Sequence, residues 1–487
     1  MPYDIVFFTL FRTDNPYSSI SLSMAKELAK THRVFYVNHP YSWKDVVTGL
    51  LRGDRVLRAR LPRLLRGKVG YEGVDTIPEN FTAAQPPPTL PVNWLPKGRL
   101  YDFLQRLNNG IILRAIRRVL RDHGIREYIF INCYDPFYAG YLPKEMGAAL
   151  CIYHCIDDIS QNPYTAKHGL DLEIEAVLGA DLTFVTSTNL KKLLIRRTDP
   201  TLVQRNTSFA YNVQRNTSFA NSVRRNTSFA DSVQRNTSFA KTEEAPAKLV
   251  FRRTADRIVT YFNAADVSVF QKVLREKYPR PAELAGRSGQ VIGFIGNLDE
   301  LRIDYPLLKK TALAHPDKTL LLVGPVNSPE PRVIGLDLLP NVVFAGSRRL
   351  EQLPPLLQHM DCVLIPFLCN TLTESIYPLK INEYLAAGKP VVSTGFSDDI
   401  RGFADCIYLA DSHEAFVQRI DRAIAENNPD RIKQRTAVAS ENTWEARIKQ
   451  LWEVVANYDL RFTTDNPRSA TYDQSQEVDS PETKERL

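Results

Sequence analysis

The stretch 362–394, CVLIPFLCNTLTESIYPLKINEYLAAGKPVVST, narrows the fold more than any other part of the chain. Residues 361–365 form a short apolar run, so a buried strand is predicted there. Residues 366–377 carry no sustained period and read as a loop. Pro378 suits the first turn of a helix. Gly388 closes that helix, and Pro390 prevents its continuation. Val391 and Val392 begin another buried strand. Strand, loop, helix and strand in this order make a unit of a parallel α/β sheet. The loop then falls at the carboxyl edge, where ligands bind.

The helix brings its own chemistry. Its first turn leaves backbone N–H groups unpaired and carries partial positive charge, which suits a phosphate. Lys380 adds a full charge in that turn, and Glu383 shares its face three residues on. A carboxylate accepts hydrogen bonds from paired hydroxyls such as those of a ribose. An ordinary amphipathic helix with a surface Lys–Glu pair has the same spacing, so spacing alone leaves both readings open.

ESIYPLKINEYLAAGKPVVST resembles the donor-site segment of GT-B retaining glycosyltransferases, the group called family 4 or group 1. The resemblance implies an α/β protein of two Rossmann-like domains facing a cleft. It implies a nucleotide-diphosphate sugar as co-substrate on the C-terminal domain and an acceptor on the N-terminal one. It implies no metal and no other cofactor. Glu383 matches the residue that binds ribose. Glu374 is the candidate for the loop acid that meets the donor sugar. Eight residues separate it from Glu383 where the family has seven, and Ser375 holds the expected place. Arg302, in the GNLDELRID turn after a strand at 291–295, resembles the family's diphosphate-binding cation. Arg302 and Lys380 then stabilise the leaving group, and Asp157 stands beside the anomeric centre. Gly296, Asn297, Gly324 and Tyr377 complete the implied donor-binding set.

At 487 residues the length allows about three domains. A net charge of +7 favours phosphorylated ligands or an anionic membrane surface and is too weak to argue for nucleic acid. The six scattered cysteines lack zinc-ribbon spacing and fit a reduced cytoplasm. The first apolar run is too short for a secretory leader and reads as a strand. No run reaches the length of a membrane span, so membrane contact, on the inner face of the plasma membrane, is expected to be peripheral.

The N-terminal domain is expected over 1–270. It opens as a βαβ unit, and the turn FRTDNPYSS offers Arg12, Asp14 and Asn15 to an acceptor, or makes only a turn. Residues 52–68 hold seven basic residues and one acid with leucines at helical spacing, interrupted by Pro62. Contact with anionic lipid or a lipid-linked acceptor, and a solvated helix face, both fit. The proline-rich stretch 85–98 is extended. A helix over 99–123 is predicted with Leu100, Phe103, Leu104, Leu107 and Ile111 inside. Asp157 and Asp158 end a strand as ligand contacts or as helix caps, and His154 is packed within that strand. Four near-identical ten-residue units fill 203–240, each with only Val and Phe clearly apolar. They are expected to be a disordered insertion, the alternative being short stacked strands. A linker is predicted near 271–290 and the donor domain over 285–440. A helix over 441–460 crosses back to the first domain, and a disordered tail covers 461–487.

The functional expectation is transfer of a sugar to a glycan or lipid-linked saccharide with retention, within polysaccharide biosynthesis. A GT-B nucleotide-sugar epimerase or hydrolase, and a non-catalytic sugar-nucleotide-binding member of a polysaccharide assembly complex, are the alternatives.

Overall fold

The computed structural model describes residues 3–14, 19–73, 78–199 and 254–462. Asn15, the decapeptide repeats at 203–240 and the tail beyond 462 lie outside the described residues.

The first half runs β1 (Asp4–Thr9), α1 (Ile20–Leu28), β2 (Val34–Val37), α2 (Trp43–Leu51), α3 (Arg55–Leu65), β3 (Gly70–Glu72), β4 (Phe81–Gln85), α4 (Arg99–Asp122), β5 (Tyr128–Cys133), β6 (Leu150–Cys155), α5 (Pro163–Gly179), β7 (Leu182–Val185), α6 (Thr188–Arg197) and β8 (Ile258–Thr260). The second half continues with α7 (Val267–Arg275), β9 (Val291–Ile295), α8 (Tyr305–Ala314), β10 (Thr319–Val323), α9 (Glu330–Val333), β11 (Val342–Gly346), α10 (Leu353–Gln358), β12 (Cys362–Ile365), α11 (Thr371–Glu374), α12 (Leu379–Ala386), β13 (Val391–Thr394), α13 (Asp398–Arg401), β14 (Tyr408–Ala410), α14 (His413–Ala425), α15 (Pro429–Ser440) and α16 (Trp444–Phe462).

Two sheets result. Among the described residues the first has the order β3-β4-β2-β1-β5-β6-β7-β8, parallel except for the β3–β4 edge pair. The second has the order β11-β10-β9-β12-β13-β14 and is parallel throughout. Strands such as β5, β9 and β12 are buried along their whole length, as expected where helices cover both faces. Strand order reverses direction between β1 and β5 in one sheet and between β9 and β12 in the other. These switch points open crevices at the carboxyl ends of the strands.

The chain passes between the two cores at 261–266. The α7 side chains Val267, Phe270 and Val273 already belong to the second core. The linker predicted at 271–290 is therefore placed too late, because the apolar stripe of α7 packs on α10 and α12. The chain returns at its end: Trp444, Ile448 and Leu451 of α16 complete the core around Met24 and Leu28 of α1.

Three local expectations are corrected. Pro62 sits inside α3 without ending it. The 366–377 loop contains the short helix α11, begun by a reciprocal Asn370–Thr373 cap. In α4 the buried face carries Tyr101, Gln105, Asn108, Ile112, Ala115, Ile116 and Val119. Leu100, Phe103 and Leu107, expected inside, are exposed. The polar members of the buried face have partners: Asn108 donates to and accepts from the Leu90 backbone at 2.9 and 2.8 Å.

Gly324 closes the turn after β10 at φ +145°, and a Cβ there would overlap the Gly296 carbonyl oxygen. No side chain fits this crossing of two backbones. Gly324→Ala is expected to lower the unfolding free energy by about 2–4 kcal/mol, read from denaturant unfolding of the variant beside the parent.

Candidate active site

The loops after β9 and β12 meet at the second switch point. The Leu368 N–H donates to the Arg302 carbonyl at 2.8 Å, and the Asp304 N–H donates to that of Pro366 at 2.9 Å. Asn297 and Arg302 stand on the first of these loops. Asp299 orders it by accepting from the Leu301 and Arg302 N–H groups and from the Arg302 guanidinium at 3.3 Å. The Arg302 Nε is buried without a protein partner. Asn297 pairs with Asn327 at 2.8 Å.

The helix α12 begins after Pro378 with no side chain capping it, and the Ile381 N–H donates to the Pro378 carbonyl at 3.1 Å. Lys380 and Glu383 form a 2.8 Å ion pair. Glu383 is 5% exposed, and Lys380 is half-buried above it. The remaining sequence candidates separate. Glu374 ends α11 and is exposed. The ring of Tyr377 is buried on Phe262, 4.9 Å between centroids, and its hydroxyl donates to Asn382 at 3.3 Å. That packing holds the Tyr377 ring in the seam between domains. Gly296 and Gly324 are the crossing backbones already described.

Across the cleft, the two acids after β6 have different surroundings. Asp158 caps the following turn through Ser160 and pairs with Arg197 at 2.7 Å. Asp157 carries no such bonds. Burial pushes its carboxyl pKa up, and Arg302 of the other domain pulls the opposite way. Charge coupling thus links Asp157 and Arg302 across the domain gap. His154 is packed as expected, between Phe184 and Tyr261, and burial lowers its pKa to about 4.

Sequence reasoning missed one pair. His39, just beyond β2, meets Asp135, just beyond β5, at 2.6 Å. These strands flank β1, so the pair bridges the first switch point. Asp135 is fully buried and accepts from the N–H groups of Phe137 and Tyr138. Asn132 beneath it bonds the carbonyls of Asp135, Tyr138 and Ala139. Tyr134 and Ala139 in this loop hold φ of 60° and 45°, strain that persists only where neighbours enforce it. Both flanking strands were legible; only their adjacency around β1 joins residues 96 positions apart.

Asp14 lies beside this crevice. Burial raises its pKa, but Arg12 and Arg60 outweigh that and hold it below the usual range. Arg60, buried in α3, reaches Asp14 at 2.6 Å and Glu72 at 2.7 Å. Arg12 lies over the Tyr41 ring.

The domains are latched on one side of the cleft. The Ser187 hydroxyl donates to the Ser375 carbonyl at 2.7 Å, and the Asn189 amide donates to the Ser375 hydroxyl at 2.9 Å. The Thr188 N–H and hydroxyl donate to Asp399 at 3.0 and 2.6 Å. Lys192 pairs with Asp398 at 2.8 Å.

Residues 289–426 match the family described as "Glycosyl transferases group 1". A 214-residue stretch is 28% identical to TuaH of Bacillus subtilis (strain 168), described as a teichuronic acid biosynthesis glycosyltransferase. The match covers 43% of this chain and 53% of TuaH, so the chain spans about half the length of that curated relative. Among solved structures, sucrose-phosphate synthase from Thermosynechococcus elongatus aligns over 94% of this chain and 100% of its own, at TM-score 0.53 and 13% identity. Trehalose 6-phosphate synthase from Burkholderia multivorans aligns over 96% and 100%, at 0.57 and 11%. Anabaena Alr3699/HepE, solved with UDP, aligns over 93% and 100%, at 0.53 and 13%. The architecture is the GT-B fold of two parallel-sheet domains.

Beneath Asp158, Glu173 is buried against Arg197, Tyr153 and Cys155, and burial raises its pKa to about 7. A raised acid stabilises the fold fully below its ordinary value of 4.5 and loses that contribution as pH rises through 7. Unfolding free energy is expected to fall by about 1–3 kcal/mol between those limits. Glu173→Gln should flatten this part of the profile in denaturant titrations across pH.

Proposed function

We propose that this chain is a retaining glycosyltransferase moving a hexosyl group from a nucleoside-diphosphate sugar to a saccharide or lipid-linked acceptor. The observation that carries the reading is the Lys380–Glu383 pair at the start of α12, which no side chain caps, beside the switch point that carries Arg302. The uncapped start of α12, Lys380 and Arg302 bind the diphosphate. Their charges act most strongly as the bond from the anomeric carbon to the diphosphate breaks and negative charge grows on the leaving oxygen. Glu383 holds the ribose hydroxyls. Asp157 stands at the anomeric centre, and Glu374 is the candidate contact to the donor sugar. No metal enters this scheme, because fixed cations and helix dipoles supply the countercharge.

The acceptor lies at the first switch point, between Asp14 and the His39–Asp135 pair. Asp135 fixes the imidazole through Nδ1, leaving Nε2 to bind an acceptor hydroxyl. The family matched by 289–426 supports transfer, and HepE, solved with UDP, supports a uridine nucleotide. The similarity to TuaH supports a polysaccharide product. Six free cysteines support a reducing, cytoplasmic setting.

Lys380→Ala and Arg302→Ala are expected to slow turnover roughly ten- to hundredfold each, since charge-assisted bonds are worth about 1.5–3 kcal/mol. Glu383→Gln should mainly weaken UDP binding, because ribose is held alike in ground and transition states. Calorimetric UDP titration and a UDP-sugar turnover assay on these variants check both. Unchanged UDP affinity in Glu383→Gln together with unchanged turnover in Lys380→Ala removes the donor from this helix.

On the acceptor side, His39→Ala should leave UDP affinity as in the parent while raising the acceptor KM about tenfold, the worth of one hydrogen bond. Loss of UDP binding instead would place His39 in the donor site.

A further inference from the structure

Among the described residues sixteen large hydrophobic side chains are exposed, and nine of them fall between Trp43 and Leu107. They form stripes. Trp43, Val47 and Leu51 recur every four residues on the outer face of α2, and Leu51 is 83% exposed. Leu65, 63% exposed, ends α3. Leu100, Phe103 and Leu107 line the outer face of α4, whose inner face buries Gln105 and Asn108. Over 99–108 this helix buries Gln105 and Asn108 while Leu100, Phe103 and Leu107 stay in solvent, an apolar stripe available to a partner.

The charge around these stripes has one sign. Between Lys44 and Lys68 the chain holds eight basic residues and two acids. Arg60 is buried; the other seven basic residues are exposed and make no ion pair among the described residues. Both acids are committed to helix caps, Asp45 to Ser42 and Asp54 to Leu57. The stripes flank one strap of chain. Trp43 at the start of α2 donates to the Thr89 carbonyl, and the next residue, Leu90, is held by Asn108 of α4. No helix among the described residues is long and apolar enough to cross a membrane.

We infer that the α2–α3 hairpin and the outer face of α4 form a surface that docks on an anionic lipid bilayer, the leucines entering the interface and the cations meeting headgroups. Unpaired cations around bare leucines and a phenylalanine complement such a surface on both counts. A soluble polyanion has no use for Leu51 or Phe103. The buried Arg60–Asp14 ion pair ties the docked hairpin to the acceptor loop. Docking itself stands apart from the glycosyl-transfer reading, and the test below reads no turnover.

The test is co-sedimentation of the full chain with vesicles of phosphatidylcholine alone or with about 30% phosphatidylglycerol, from about 0.1 to about 1 M salt. Binding should require phosphatidylglycerol and weaken at least tenfold at high salt. Leu51→Asp with Leu65→Asp, and separately Arg55→Glu with Arg63→Glu, should each reduce it at least tenfold, with far-UV circular dichroism and UDP affinity as in the parent. Equal binding to neutral vesicles, no binding to anionic ones, or leucine variants that bind like the parent overturn the proposal. So does a dimer in solution that the leucine variants dissociate, since a second copy then covers the face.

Discussion

Two parallel sheets turn their carboxyl edges toward each other, and the rest of the site follows from that. Among the described residues the latching contacts across the gap come from segments that follow strands. Ser187 after β7 meets Ser375 after β12, Thr188 meets Asp399 after β13, and Asp157 after β6 senses Arg302 after β9. In a parallel sheet the helix after each strand starts at that edge. Helix N-termini therefore collect in one cleft from both sides; side chains cap those of α1, α6, α8 and α13, while that of α12 has no side-chain cap. Lys380 and Arg302 add to a field that the topology already supplies.

How much of this was legible in the chain depended on distance along it. Lys380 and Glu383 lie three residues apart on one short helix, so a local pattern revealed them. His39 and Asp135 are joined only by strand order, and no local pattern announces strand order. Tyr377 stands within the recognised segment and packs on Phe262, a partner more than a hundred positions away. The α4 stripe failed for a different reason. Apolar spacing says that a helix has two faces, and it assigns the apolar one to the core by default. Here the Leu90 backbone satisfied Asn108, which made the mixed start of the buried face cheap to cover and left Leu100, Phe103 and Leu107 outside. The early crossing at 261–266 was hidden because the apolar stripe of α7 is equally suited to either core.

The seam between the domains is mixed by design of its residues. Phe262 on Tyr377 gives a dry pivot, and the Ser187, Thr188 and Asn189 bonds at the start of α6 give a polar catch. Water substitutes readily for hydroxyl and amide partners, so such a catch opens at smaller cost than an apolar interface of the same extent. Lys192 and Asp398 pair directly at this catch, whereas Asp157 and Arg302 act on each other through charge.

The return of α16 onto α1 has a consequence for how the protein is made. The face of the first domain that Trp444, Ile448 and Leu451 cover belongs to α1, which leaves the ribosome well before its lid α16 does. More than four hundred residues separate the two, about twenty seconds or more of translation at usual rates. Throughout that interval Met24 and Leu28 lack their final neighbours. The first domain begins folding before the second and finishes after it, and a nascent chain of this architecture carries an open apolar face that chaperones are suited to shield until α16 arrives.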